Sequence, residues 1–153
     1  MLVAPLLSVY CDGSAHGRAG LPGGWAFAVV REEQLLVEGS GGERVTTSNA
    51  MELQAVLRGL EAVRAGGWHR EHPVELVSDS RVALEVASGL HVPVHLEALV
   101  RAVREVFLEV GARTRWIRGH SGDRWNDQVD ALAHEAKQAL VPRRVRRRHL
   151  RRG

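Results

Sequence analysis

The sequence predicts an α/β domain on a five-stranded mixed sheet, three antiparallel strands followed by parallel ones, with helices on both faces. Three observations carry this. Apolar runs rich in strand formers follow one another at the start of the chain, and beyond them helical stripes alternate with single short strands. Consecutive strands followed by helix–strand alternation fit one sheet covered by helices. The third is length, since 153 residues provide for one hydrophobic core and leave no room for a second folded domain.

Residues 6–11 read as the first strand, leading into a loop at Asp12-Gly13-Ser14, and residues 17–24 as a glycine-rich connection. Residues 25–30 and 34–38 read as two strands joined by a short polar turn, an antiparallel hairpin. Residues 50–65 carry Leu53, Val56, Leu57, Leu60 and Val63 at helical spacing and stop at Gly66-Gly67. A fourth strand is predicted over 74–77, a short helix over 80–87 and a longer one over 96–110, with Leu96, Leu99, Val100, Val103, Phe107 and Val110 on one face. The last strand is predicted over 113–118, and a closing helix over 125–140 turns Val129, Leu132, Ala133 and Ala136 inward. Of the tryptophans, Trp25 and Trp116 fall in predicted strands, where core packing is the common use, and none is assigned to binding.

With 44% apolar and 25% charged residues the composition is that of a globular protein. No apolar run approaches the roughly 18 residues of a membrane span, and no signal peptide is recognised, so a cytoplasmic protein without a membrane anchor is expected. The single cysteine, Cys11, excludes an internal disulfide and is read as a buried packing residue. Residues 141–153 hold seven arginines (Arg143, Arg144, Arg146, Arg147, Arg148, Arg151, Arg152) and no acid, so setting them aside turns the net charge from +3 to −4. The chain thus divides into a folded body, residues 1–140, and an arginine-rich tail, residues 141–153, expected to be flexible. An acidic body with a cationic tail points to a polyanionic partner, nucleic acid or an anionic membrane surface.

Acids recur at the ends of the predicted elements: Asp12 after the first strand, Glu52 in the first helical turn, Asp79 after the fourth strand, and Asp127 and Asp130 early in the last helix. Each alone has a structural explanation. Asn49 and Glu52 fit a capping pair, Asp79 or Ser80 can cap the next helix, and acids in a first turn complement the helix dipole. Together they say more, because strand ends in a helix-covered sheet converge on one crevice. Carboxylates crowded there repel one another unless cations intervene, and hard oxygen ligands suit magnesium. A pair of such ions can clamp the attacking and departing oxygens of a phosphodiester, which makes phosphoryl transfer the natural reaction class.

The segments Tyr10-Cys11-Asp12-Gly13-Ser14, Thr46-Thr47-Ser48-Asn49-Ala50-Met51-Glu52-Leu53, Val77-Ser78-Asp79-Ser80, and Gly119-His120-Ser121-Gly122 with Asn126-Asp127-Gln128-Val129-Asp130, resemble the four signature blocks of the type 1 ribonuclease H family. They occur in that family's order across residues 6–138. The resemblance implies a ribonuclease H-like fold and a monomeric endonuclease. Such an enzyme hydrolyses the RNA strand of RNA/DNA hybrids with two Mg2+ ions, Mn2+ being a substitute, and leaves 5′-phosphate and 3′-hydroxyl ends. It makes Asp12, Glu52, Asp79 and Asp130 the catalytic, metal-binding carboxylates; Asp130 is preferred to Asp127 because it directly precedes Ala131-Leu132-Ala133. It gives His120 a part in protonating the leaving group or in product release, and places Asn49 at the RNA 2′-hydroxyl, with Gly13 and Ser14 as further contacts. Thr47 matches a residue of the family's DNA-phosphate pocket, and its hydroxyl equally suits stabilising a turn. His16, His69, His91 and His95 are read as surface residues.

Two departures stand out. The chain lacks the extra basic helix with which many bacterial members grip hybrid, and Arg81 stands where many relatives carry a base-contacting glutamine. The tail arginines Arg143, Arg144, Arg146, Arg147 and Arg148 are the expected substitute grip on substrate. Two other readings stay open: a DNA-cutting nuclease of the same fold, resolvase-like or transposase-like, and a non-catalytic nucleic-acid-binding module.

Overall fold

The structure is a computed structural model and describes residues 3–141. The tail, with Arg143, Arg144, Arg146, Arg147 and Arg148, lies outside the described residues apart from Val141. Five strands and four α-helices are found among the described residues: β1 (Leu7–Ala15), β2 (Leu21–Arg31), β3 (Gln34–Thr46), α1 (Ser48–Gly66), β4 (Val74–Ser78), α2 (Arg81–Ser88), α3 (Glu97–Glu109), β5 (Arg113–Trp116) and α4 (Arg124–Ala139). The sheet order is β3-β2-β1-β4-β5. The first three strands are antiparallel, while β4 runs parallel to β1 and β5 parallel to β4.

The first three strands are longer than expected, and for β3 the reason is cross-strand packing on glycine. Phe27 pairs with Gly39 and Trp25 with Gly41, and each aromatic ring lies over its glycine, where an added Cβ would meet ring atoms at 2.6 and 2.5 Å. Aromatic cover makes strand of a glycine-rich run that weak intrinsic propensity would leave as loop. The hairpin turn places Glu32 and Glu33 at φ 50° and 62°, the left-handed pair that a two-residue connection requires.

Alternation along β1 distributes the core. Leu7, Val9 and Cys11 enter a large apolar cluster with residues of α1, α2 and α3, whereas Tyr10 joins Ala26, Ala28, Val30 and Val77 beneath α4. Cys11 is buried, its Sγ directed at the Ala55 carbonyl. Helix α4 comes so close to β2 that a Cβ on Gly24 would stand 2.1 Å from the Ala133 carbonyl oxygen. Gly24→Ala is therefore expected to cost about 1–3 kcal/mol or more, the range of core overpacking. That corresponds to a melting temperature lower by about 3 °C or more, measurable by thermal unfolding. No helix among the described residues is long and apolar enough to cross a membrane.

Candidate active site

The sheet opens where β1 and β4 part. Their parallel pairing ends at Tyr10 opposite Val77, after which β1 continues against β2 alone while the chain leaves β4 at Ser78. Asp12 and Asp79 sit on the two sides of this opening, just past the end of the parallel pairing of β1 and β4, the kind of place where open α/β sheets bind ligands. Asp12 is thus not in a loop: it lies within β1, opposite Ala26, with Gly13 and Ser14 continuing the strand.

Glu52 reaches the same opening from α1. The helix is capped by Thr47, whose hydroxyl accepts from the Ala50 N–H at 3.2 Å, and not by the Asn49–Glu52 pair the sequence suggested. That two-residue difference frees both side chains. The first turn of α1 then presses on β1 at Gly13, where a Cβ would stand 2.5 Å from the Glu52 nitrogen, so only glycine admits the helix this close. Carboxylate oxygens of Asp12, Glu52 and Asp79 consequently lie within 4.8 Å of one another.

The electrostatics of this triad are unfavourable in the protein alone. Asp12 is 4% exposed. Burial first, and then the charges of Glu52, Asp79 and Asp130, push its carboxyl up to about 10. Burial and the charge of Asp79 push Glu52 up to about 8, against a stabilising backbone hydrogen bond from Gly13. Asp79 is raised by burial and by Asp130, and held down by a hydrogen bond from the Asn126 side chain and by His120. Glu52 Oε2 is shut off from solvent without a hydrogen-bond partner, a costly state for a carboxylate oxygen. A hard cation on an all-oxygen donor set fits this arrangement, since it supplies the missing partner and offsets the repulsion.

Asp130 stands beside the triad on α4, within hydrogen-bonding reach of Asp12. With Asp127, His120 and Gly122 it borders a shallow depression. His120 is exposed and adopts φ 54° in the loop between β5 and α4, which Ser121 steadies by donating to the Arg118 carbonyl at 2.6 Å. On the opposite side, Thr47, Asn49 and Glu52 form the polar end of a 490 Å³ groove whose apolar wall includes Val82, Val86 and Val94. His91 and His95, exposed as expected, also line that groove.

Three features escaped the sequence reading. Asn126 is 3% exposed and holds Asp79; its signal was a polar residue on the inward stripe of α4, in phase with Val129 and Ala133. Trp116 does not pack in the core but is 41% exposed, on the edge strand β5. Gly119 lies so near Asp79 that a Cβ would stand 2.8 Å from its Oδ2; the block Gly119-His120-Ser121-Gly122 contains it, but only His120 was given a role there.

A mixed sheet opening on a nest of carboxylates fitted to hard cations defines a class, the hydrolases of phosphodiesters with an acidic centre. The family model described as RNase H matches residues 5–138. The Ribonuclease H of Syntrophomonas wolfei is 31% identical over 146 residues, which span 86% of this chain and 96% of that protein. Among solved structures, the N-terminal RNase H domain of a Mycobacterium tuberculosis protein superposes with a TM-score of 0.77 at 21% identity, covering 90% of this chain and 96% of that one. LC11-RNase H1, isolated from compost and solved in complex with RNA/DNA hybrid, gives 0.74 at 25% identity over 88% of this chain and 99% of its own. The chain belongs to the RNase H family, and is a hydrolase of that family.

Proposed function

We propose that this enzyme hydrolyses the RNA strand of RNA/DNA hybrids at the opening between β1 and β4, leaving 5′-phosphate and 3′-hydroxyl ends. The observation that carries the reading is the buried Asp12, Glu52 and Asp79 triad with an unpartnered Glu52 oxygen, beside a groove that presents Asn49. Support comes from the family and from the hybrid bound to LC11-RNase H1.

In this reading Asp12, Glu52, Asp79 and Asp130 hold two Mg2+ ions, for which Mn2+ can substitute. When bound, these ions supply charge neutralisation for the phosphodiester and acidity for a water molecule. The chain's own residues do the rest. Asn49, able to donate and accept at once, reads the ribose 2′-hydroxyl, the group that separates RNA from DNA. Gly13 and Ser14 contact the same strand. Thr47 both caps α1 and keeps its hydroxyl proton available for a phosphate of the DNA strand. His120, on its exposed loop, delivers a proton to the departing 3′ oxygen or assists release of product.

Duplexes of one sequence as RNA/DNA, RNA/RNA and DNA/DNA, each with Mg2+ and with chelator, test the reading. Only the hybrid with Mg2+ is expected to be cut, and only in its RNA strand. Cutting of DNA/DNA at a comparable rate would favour the DNA-acting alternative, and hybrid binding without cutting in Mg2+ or Mn2+ a non-catalytic module.

A further inference from the structure

β5 is the least anchored part of the sheet. It is four residues long, lies at the edge, pairs with β4 alone and is exposed along its whole length. Polar attachments hold it instead of apolar packing. Arg115 pairs with Glu75, Nε to Oε2 at 3.1 Å, and its Nη2 donates to the Tyr10 hydroxyl at 3.4 Å. At the other end of the strand, Trp116 Nε1 donates to the backbone carbonyl of Asp79 at 3.0 Å, and the Ile117 N–H to that of Ser78 at 3.1 Å.

The Trp116 bond matters because of what it holds. Asp79 follows the last residue of β4, so its peptide has left the ladder that fixes the strand. An indole 41% exposed is not fixed by burial, but Arg81, at the start of α2, lays its guanidinium over the ring at 3.8 Å from the centroid. Three residues further, Gly119 meets the Asp79 side chain itself. Its backbone is not left-handed, so turn geometry does not demand glycine; space does, since a Cβ would crowd Oδ2 at 2.8 Å.

The geometry points to a latch on Asp79: Trp116 fixes its carbonyl, Gly119 leaves room for its carboxylate, and Arg81 holds the indole in place. Trp116 and Gly119 are positioning residues, and edge strand β5 thereby sets one arm of the carboxylate triad. This deepens the proposed function and rests on it, because the placement of Asp79 matters to turnover only if Asp79 binds the cation.

Trp116→Phe tests it, since it keeps a ring for Arg81 and removes the N–H donor. Mn2+ is titrated calorimetrically into the full chain without nucleic acid, with Asp79→Asn as control, and kcat and KM are measured on hybrid. Mn2+ affinity is expected to weaken about threefold to tenfold, the effect of one neutral hydrogen bond, with a similar fall in kcat and an unchanged KM. A merely structural tryptophan would lower the melting temperature and leave Mn2+ affinity alone. If Trp116→Phe binds Mn2+ with the parent dissociation constant while Asp79→Asn does not, the latch is wrong and the cation reading stands. If Asp79→Asn itself binds as the parent does, the cation site is misplaced and the latch falls with it. Should Trp116→Phe not fold, Gly119→Ala decides by the same titration, with a loss of tenfold or more expected and parent affinity overturning the proposal.

Discussion

Asp12→Asn is expected to abolish cleavage, lowering the rate by about a thousandfold or more, and at the same time to make the metal-free protein more stable. The first effect follows from removing a charged oxygen ligand, since stabilising charge on a phosphodiester by bound cations is worth several kcal/mol. The second follows from the triad. In the unfolded chain both Asp12 and Glu52 titrate near 4, whereas the folded protein pushes them up to about 10 and about 8, through burial and mutual repulsion. Between those limits the metal-free folded state holds protons that the unfolded chain releases. Stability therefore falls as pH rises from about 4 to about 8, the reverse of a salt-bridged carboxylate. Asparagine carries no charge to repel. Each tenfold unfavourable change in proton affinity is worth about 1.4 kcal/mol, so at pH 8 in chelator the variant should melt at least about 3 °C above the parent. The gain should shrink by pH 5, and added Mg2+ should stabilise the parent more than the variant. A variant that cleaves at the parent rate would show that the ions sit elsewhere. One that melts below the parent at pH 8 would show that Asp12 is not under strain in the free protein.

The order of elements was legible because each helix carries its own periodicity. The stripe Leu53, Val56, Leu60 and Val63 faces the sheet, and Val100, Val103 and Phe107 face the same core, as their spacing alone required. Strand lengths were not legible. Whether the glycines at 39 and 41 pair depends on the rings of Phe27 and Trp25 across the sheet, and a partner strand is invisible to a local window. The same limit explains Trp116, since alternation says which residues share a face but not whether a helix covers it.

Within the site, Asp12, Glu52 and Asp79 could be named because acids at strand and helix ends recur in family order, and they do gather within 4.8 Å. What supports them was harder to see. Gly13, Gly119 and Asn126 act through the space they leave or the hydrogen bond they give, and both depend on the approach of another element. A glycine that makes room for a carboxylate reads, in one dimension, like any loop glycine.

His120→Ala is expected to lower kcat by about 10²-fold to 10⁴-fold while leaving KM near the parent value, the usual cost of losing a proton-transfer group. It should not abolish activity, because the carboxylate triad on β1, on α1 and just after β4 is untouched by the change. The residue's setting gives the experiment a second arm. His120 is exposed, and its φ of 54° is one that side chains with a Cβ adopt at some cost. His120→Gly removes that cost, so it should match His120→Ala in rate and equal or exceed the parent in melting temperature. A side chain kept only to shape the loop would show the opposite pattern, with activity following loop stability. Exposure also admits a small molecule to the vacated place, and free imidazole added to His120→Ala should restore part of the lost rate as a diffusible proton donor. Unchanged kcat in both variants would reduce His120 to a solvent-facing loop residue. Lost kcat that imidazole does not restore, with KM rising in step, would move its role from proton transfer to holding substrate.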